Sequence, residues 1–159
     1  EKGPVRMEHF RNVGQVTPAA AFQTLIWALA NDESEAIASL LWISPAGRDK
    51  LHAMVARMAP EKQTRFHPPE KVVGMLLTFD LLKDDGFAIG EASEPDATGQ
   101  ATLMVGRARA GRTNVQEKKF PLQHGPSGWQ LPISDAMIDS IPAALESFSM
   151  YVPPKLPKQ

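Results

Sequence analysis

Residues 87–133 read FAIGEASEPDATGQATLMVGRARAGRTNVQEKKFPLQHGPSGWQLPI, and the punctuation of this stretch sets the fold class. Four short segments, Phe87 to Ala92, Ala101 to Ala110, Thr113 to Gln123 and Trp129 to Ile133, are parted by Pro95-Asp96, Gly111 and His124-Gly125-Pro126-Ser127-Gly128. Glycine reaches positive φ, proline presets a turn but cannot donate to a strand ladder, and aspartate closes turns with its own side chain, so this spacing predicts an antiparallel meander. Trp129, Leu131 and Ile133 alternate, which gives the last strand one apolar face.

Upstream the period changes from two to 3.6. Thr17-Pro18 is a helix start, a side-chain cap followed by proline where its missing N–H costs nothing. Phe22, Leu25, Ile26 and Leu29 follow as one apolar stripe. Asn31-Asp32 breaks it, and Asp32, Glu33 and Glu35 complement the dipole of a second helix whose buried face is Ile37, Leu40 and Leu41. Ser44-Pro45 repeats the start signal before Leu51, Met54, Val55 and Met58. Residues 60–69 read as a connection, and Pro69-Glu70-Lys71 opens VVGMLLTFDLL, a fourth helix apolar almost all round and therefore deeply buried. Helices first and strands afterwards define an α+β domain. Its organisation reads as an N-terminal extension at 1–14, one domain at 15–148 and a Pro-rich tail at 149–159 containing Pro153, Pro154 and Pro157.

Composition narrows the function classes. A chain of 159 residues buries roughly 70% of its unfolded surface and needs no staple to hold a core. The absence of cysteine excludes disulfides, thiolate metal sites and cysteine nucleophiles. Lys+Arg at 17 against Asp+Glu at 18 gives a net charge of −1, so no nucleic-acid partner is expected. No stretch is apolar for long enough to be a transmembrane segment. The chain begins at Glu1, not Met, as the exported or anchored part of a longer chain would, and the compartment stays open.

Thr17 to Ala28, the break Asn31-Asp32 before Ala36-Ile37, and Ser127-Gly128-Trp129-Gln130-Leu131 resemble the opening helix, helix break and late strand of uncharacterised bacterial members of the nuclear-transport-factor-2-like superfamily (SnoaL-like, cystatin-like cone). The resemblance spans roughly residues 14–134. It implies N-terminal helices packed on the concave face of a curved antiparallel sheet, a cone-shaped domain. Met137, Ile138, Ile141 and Leu145 depart from that pattern as an added short helix. Catalytic relatives hold an acid/base pair inside the cone. Ketosteroid isomerases add a tyrosine donor, which does not carry over, because the single tyrosine here is Tyr151 in the tail.

Asp80, inside MLLTFDLL, is the first candidate for a general base and His52, beside Leu51, for its partner. The bland alternatives are a solvent-facing acid and a hydrogen-bonded structural histidine. Arg107 and Arg109 share a strand face and could fork around a carboxylate or phosphate; the plainer reading of these cations, with Arg112, Lys118 and Lys119, is ion pairing with the acidic stretch Asp80, Asp84, Asp85, Glu91, Glu94 and Asp96. Trp27 and Trp42 fall off the strict apolar stripes, so each either widens the core or marks a ligand contact. No histidine pair has metal-binding spacing and no cofactor loop is present, so neither metal nor cofactor is implied.

Three functions remain: a non-catalytic small-ligand-binding or accessory domain, a small lyase, isomerase or cyclase acting in the cone, and a structural dimerisation domain. The cone interior decides among them, holding either an ionisable group or only Met54, Met58, Met75, Leu77 and Phe79. Leu103 and Val105 on one side of their strand, Met104 on the other, and Phe120 with Leu122 next door predict two sheet faces in need of cover, given either by the C-terminal segment of Met137, Ile138, Ile141, Leu145 and Phe148 or by a second copy; of the two, a homodimer through the sheet is the expectation.

Overall fold

The computed structural model describes residues 4–109 and 115–148. Gly111, Arg112, Tyr151 and the tail expected at 149–159 lie outside them. Thr17 Oγ1 accepts from Ala20 N at 3.0 Å and opens α1 (Pro18–Ala30); Ser44 Oγ accepts from Gly47 N at 3.0 Å and opens α3 (Pro45–Ala56). Between them stand α2 (Ser34–Leu40) and a three-residue strand, β2 (Leu41–Ile43). The 60–69 connection contains a short helix, α4 (Pro60–Arg65), and the apolar run forms α5 (Glu70–Leu81). Then come β3 (Gly86–Ala92), β4 (Gln100–Ala108), β5 (Gln116–Gly125) and β6 (Gly128–Ile133), with two short helices, α6 (Asp135–Asp139) and α7 (Ile141–Phe148), after them. No helix of the described residues is long and apolar enough to cross a membrane.

The architecture is α+β, a curled six-stranded sheet with helices packed against it. The four expected strands pair antiparallel in chain order, and two strands extend them. β1 (Val5–Arg6) pairs with β3, while β2 runs parallel to β6 through Leu41↔Leu131 and Ile43↔Ile133, giving the order β1-β3-β4-β5-β6-β2. The closing pair is therefore parallel in an otherwise antiparallel sheet. Leu41, assigned from its spacing to the second helix, sits in that strand. Residues before Gly14, expected as an extension, supply β1 and the buried side chains Met7 and Phe10.

Pleating separates the two faces. Leu103 pairs with Phe120 and Ala101 with Leu122, so these residues and Val105 share the inner face, together with Phe87. α1 covers them: the Phe22 ring lies 5.4 Å from that of Phe87 and 5.0 Å from that of Phe120, with Phe10 edge-on to Phe87 at 6.3 Å. Such aromatic pairs are worth about 0.5–1.5 kcal/mol each beyond their burial. The outer face carries Thr102, Met104, Lys119, Pro121 and Gln123, ending on Pro132 and Trp42. Phe120 and Leu122 thus do not create a second apolar face. Ile138 and Ile141 of the added segment are fully buried, and α6 packs on α3.

One loop docks where no element was expected. Gln15 O accepts from Trp129 N at 2.9 Å, and its side-chain amide donates to Trp129 O at 3.0 Å. Gly128 opposite it has φ +115, and a Cβ there would stand 2.6 Å from Gln15 O, so only glycine admits this approach.

Candidate functional site

Among the described residues two carboxylates are buried, Glu70 and Asp84, and both are held by arginine. Arg48 and His52 lie four residues apart on α3 and so project from one face. Both reach Glu70 at the start of α5: Arg48 Nη1 donates to Oε1 at 2.6 Å, and His52 Nε2 is 3.2 Å from the same oxygen, with the Glu70 side chain 5% exposed. The helix dipole favours an anion at this end. At the other end of α5, Asp84 is 2% exposed and receives Arg107 Nε at 2.5 Å and Arg109 Nε at 3.2 Å. Arg107 Nη2 also donates to Asp80 O at 3.0 Å.

These contacts place the candidate residues. Arg107 and Arg109 do fork around a carboxylate, and it is that of Asp84. Asp80 is not buried: its side chain is 55% exposed and stands 3.9 Å from Arg107 Nη2. The one solvent-facing edge of an otherwise apolar helix takes it. His52 is bound to Glu70, ten residues before Asp80 on α5, which at 1.5 Å per residue separates the two candidates by about 15 Å along that axis. They are not brought together and cannot exchange a proton directly. Trp27 is half-buried against the core, and Trp42 is 38% exposed on the outer edge strand. Among the described residues no group of histidine and acidic side chains could hold a metal ion.

The space between sheet and helices holds neither candidate of the acid/base pair: Asp80 and His52 are both about half exposed, and the ion pair buried there, Asp84 with Arg107, sits at the end of α5. That space is filled by Phe22, Leu25, Phe87, Leu103, Val105, Phe120 and Leu122, which the expected methionines do not displace: Met54 and Met58 pack at its margin.

A cleft of about 300 Å³ opens instead in the helical layer. Its main wall is α5, where Lys71, Gly74, Met75, Thr78 and Phe79 fall at i, i+3, i+4, i+7 and i+8, a single helix face. α1 contributes Leu29 from its last turn and α2 contributes Ile37. The turn between them requires Asp32 at φ 52, a left-handed conformation that aspartate tolerates better than most residues. The end of α4 supplies Arg65 and the buried ring of Phe66. At Gly74 the helices approach so closely that a Cβ would stand 2.8 Å from Ile37 Cγ2.

The floor is apolar and the rim charged. Lys71 Nζ is 3.5 Å from Asp32 Oδ2. The Arg65 guanidinium lies 5.5 Å over the Phe66 ring, and its Nη2 is 4.0 Å from Met75 Sδ. Thr78 spends its hydroxyl proton on Gly74 O at 2.8 Å, so it offers a ligand only acceptor capacity. Such a concave, apolar-floored space with few polar groups has the build of a small-ligand site, at the small end of the usual ~300–1,000 Å³. Arg65, Phe66 and Lys71 take this role without belonging to any of the candidate sets drawn from the sequence. The closely spaced cations and aromatic of Arg65-Phe66 and Lys71 around Pro68-Pro69 were the signal available.

No family model, curated protein or solved structure matches the chain.

Proposed function

We propose that this chain is a non-catalytic small-ligand-binding or accessory domain, built like members of the nuclear-transport-factor-2-like superfamily. One observation carries the reading: the sheet's interior is filled by Phe22, Phe87 and Phe120, while the cleft between α1, α2, α4 and α5 is open and apolar-floored. Binding therefore falls to the helical layer. The lyase or isomerase alternative requires an acid/base pair converging on one space, and His52 and Asp80 face different partners.

The test uses 1-octanol as a neutral apolar probe in an amide-resolved NMR titration. Shifts concentrated at Leu29, Ile37, Met75 and Phe79, and abolished by Thr78→Trp, which fills the cleft, are expected. Shifts indifferent to that substitution would overturn the assignment. A second reading, association of two copies through the outer sheet face, is supported by Trp42 standing exposed beside Pro132 at its edge. Sedimentation across a concentration series decides it, a monomer at about 100 μM counting against it.

A further inference from the structure

We infer that the ligand of the helical cleft is an amphipathic monocarboxylate, with its apolar body on the Met75, Phe66 and Ile37 floor and its acid group on Arg65. This inference rests on the small-ligand reading above and adds the chemical class. Three observations converge on it. The first is the sign of the rim: two cations, Arg65 and Lys71, against one anion, Asp32. The second is how those charges are committed. Lys71 pairs with Asp32 at 3.5 Å, whereas among the described residues no carboxylate pairs with Arg65. The third is orientation. Stacking over Phe66 and the contact of Nη2 with Met75 Sδ hold the guanidinium at the cleft mouth beside its apolar wall.

A planar guanidinium with two outward N–H groups matches a carboxylate through paired, parallel hydrogen bonds. A guanidinium already held against a ring forfeits less side-chain freedom on binding than a free one. A cationic ligand would meet Arg65 and Lys71 at the mouth, and a neutral one would leave Arg65 without a counterion. The volume of about 300 Å³ limits the apolar body to a short chain or a single ring system.

The experiment compares octanoate, 1-octanol and octylammonium on the full chain by NMR titration, with Arg65→Gln and Arg65→Lys alongside. Octanoate should bind about tenfold tighter than octanol, and octylammonium weakest. Arg65→Gln should bring octanoate down to the affinity of octanol while leaving octanol unchanged, which also reports that the cleft is intact. Arg65→Lys should restore part of the difference, and added salt should weaken octanoate alone. Equal binding of octanoate and octanol in the cleft would overturn the carboxylate inference and leave the ligand-binding reading standing. An Arg65→Gln loss shared equally by both probes would overturn it too, since a structural role would act on both. Failure of all three probes to shift cleft amides would instead remove the ligand-binding reading itself.

Discussion

Asp84→Asn removes one charge from the interior and keeps the side chain's size. In the native chain Asp84 is 2% exposed and accepts from Arg107 Nε at 2.5 Å and Arg109 Nε at 3.2 Å, while the side chain of Arg107 is 13% exposed and that of Arg109 is 40% exposed. Losing one partner of a buried ion pair typically costs about 3–5 kcal/mol, because the other charge stays desolvated and uncompensated. Two features hold the loss at the lower end. Arg109 can turn to water, so its share is below about 1 kcal/mol, and Arg107 keeps the Asp80 carbonyl at 3.0 Å and its carboxylate at 3.9 Å. The expected cost is about 3 kcal/mol, which at 2–4 °C per kcal/mol for a domain of this size is a Tm drop of roughly 6–12 °C. Urea unfolding should show a lower midpoint with the slope unchanged. Arg109→Ala is the internal reference, expected to cost under about 1 kcal/mol. A double-mutant cycle between Asp84 and Arg107 should return a coupling above about 1 kcal/mol. If Asp84→Asn costs no more than Arg109→Ala, the buried charge is not what holds the end of α5 to β4, and the reasoning fails.

Thr17→Ala should lower stability by about 1 kcal/mol through loss of its bond from Ala20 N, whereas Ser34→Ala, which leaves the acidic start of α2 intact, should stay within about 0.5 kcal/mol; equal effects in chemical denaturation would contradict the cap. Asp96 accepts from the Thr98 hydroxyl at 2.6 Å and from the Gln100 and Thr98 amides, and these bonds hold its carboxyl below the usual 3.8. Since the unfolded chain then binds the extra proton first, the contribution of this turn is present above the ordinary carboxylate value and is lost as pH falls through the lowered one. An NMR titration of Asp96 with its midpoint at or above the ordinary value would contradict this, and Thr98→Ala should move the midpoint upward.

Elements bounded by local chemistry were legible. Thr17-Pro18 and Ser44-Pro45 carry their capping partners within three residues, so nothing distant was needed to place α1 and α3. β2 was hidden because three residues are too few to display alternation, and Leu41 continues the apolar spacing of Ile37 and Leu40; only its pairing with β6 makes it a strand. α5 posed the opposite difficulty. A helix apolar on every side has no phase, so its sequence says it is buried without saying that the Lys71, Met75 and Phe79 face opens on a cleft while Leu77 and Leu81 close on the core. The same lack of phase made Asp80 look interior. For Arg107 and Arg109 the chemistry was legible and the partner was not: a fork needs an anion, and an acid 23 residues from Arg107 becomes that anion only once β4 lies against the end of α5.

The parallel seam between β2 and β6 sets a waiting time on the growing chain. Gln130 donates to Leu41 O across 89 residues of sequence. At about 5–20 residues per second, synthesis leaves Leu41, Trp42 and Ile43 without their neighbouring strand for roughly 4–18 s. All of α1 to α5 is synthesised before β3, so the apolar faces of Phe22, Leu25 and α5 are made before the four central strands that bury them. Ribosome-bound chains stalled at increasing length should therefore resist protease only once β6 has emerged, and until then they present the stretch VVGMLLTFDLL to whatever chaperone recognises extended apolar segments.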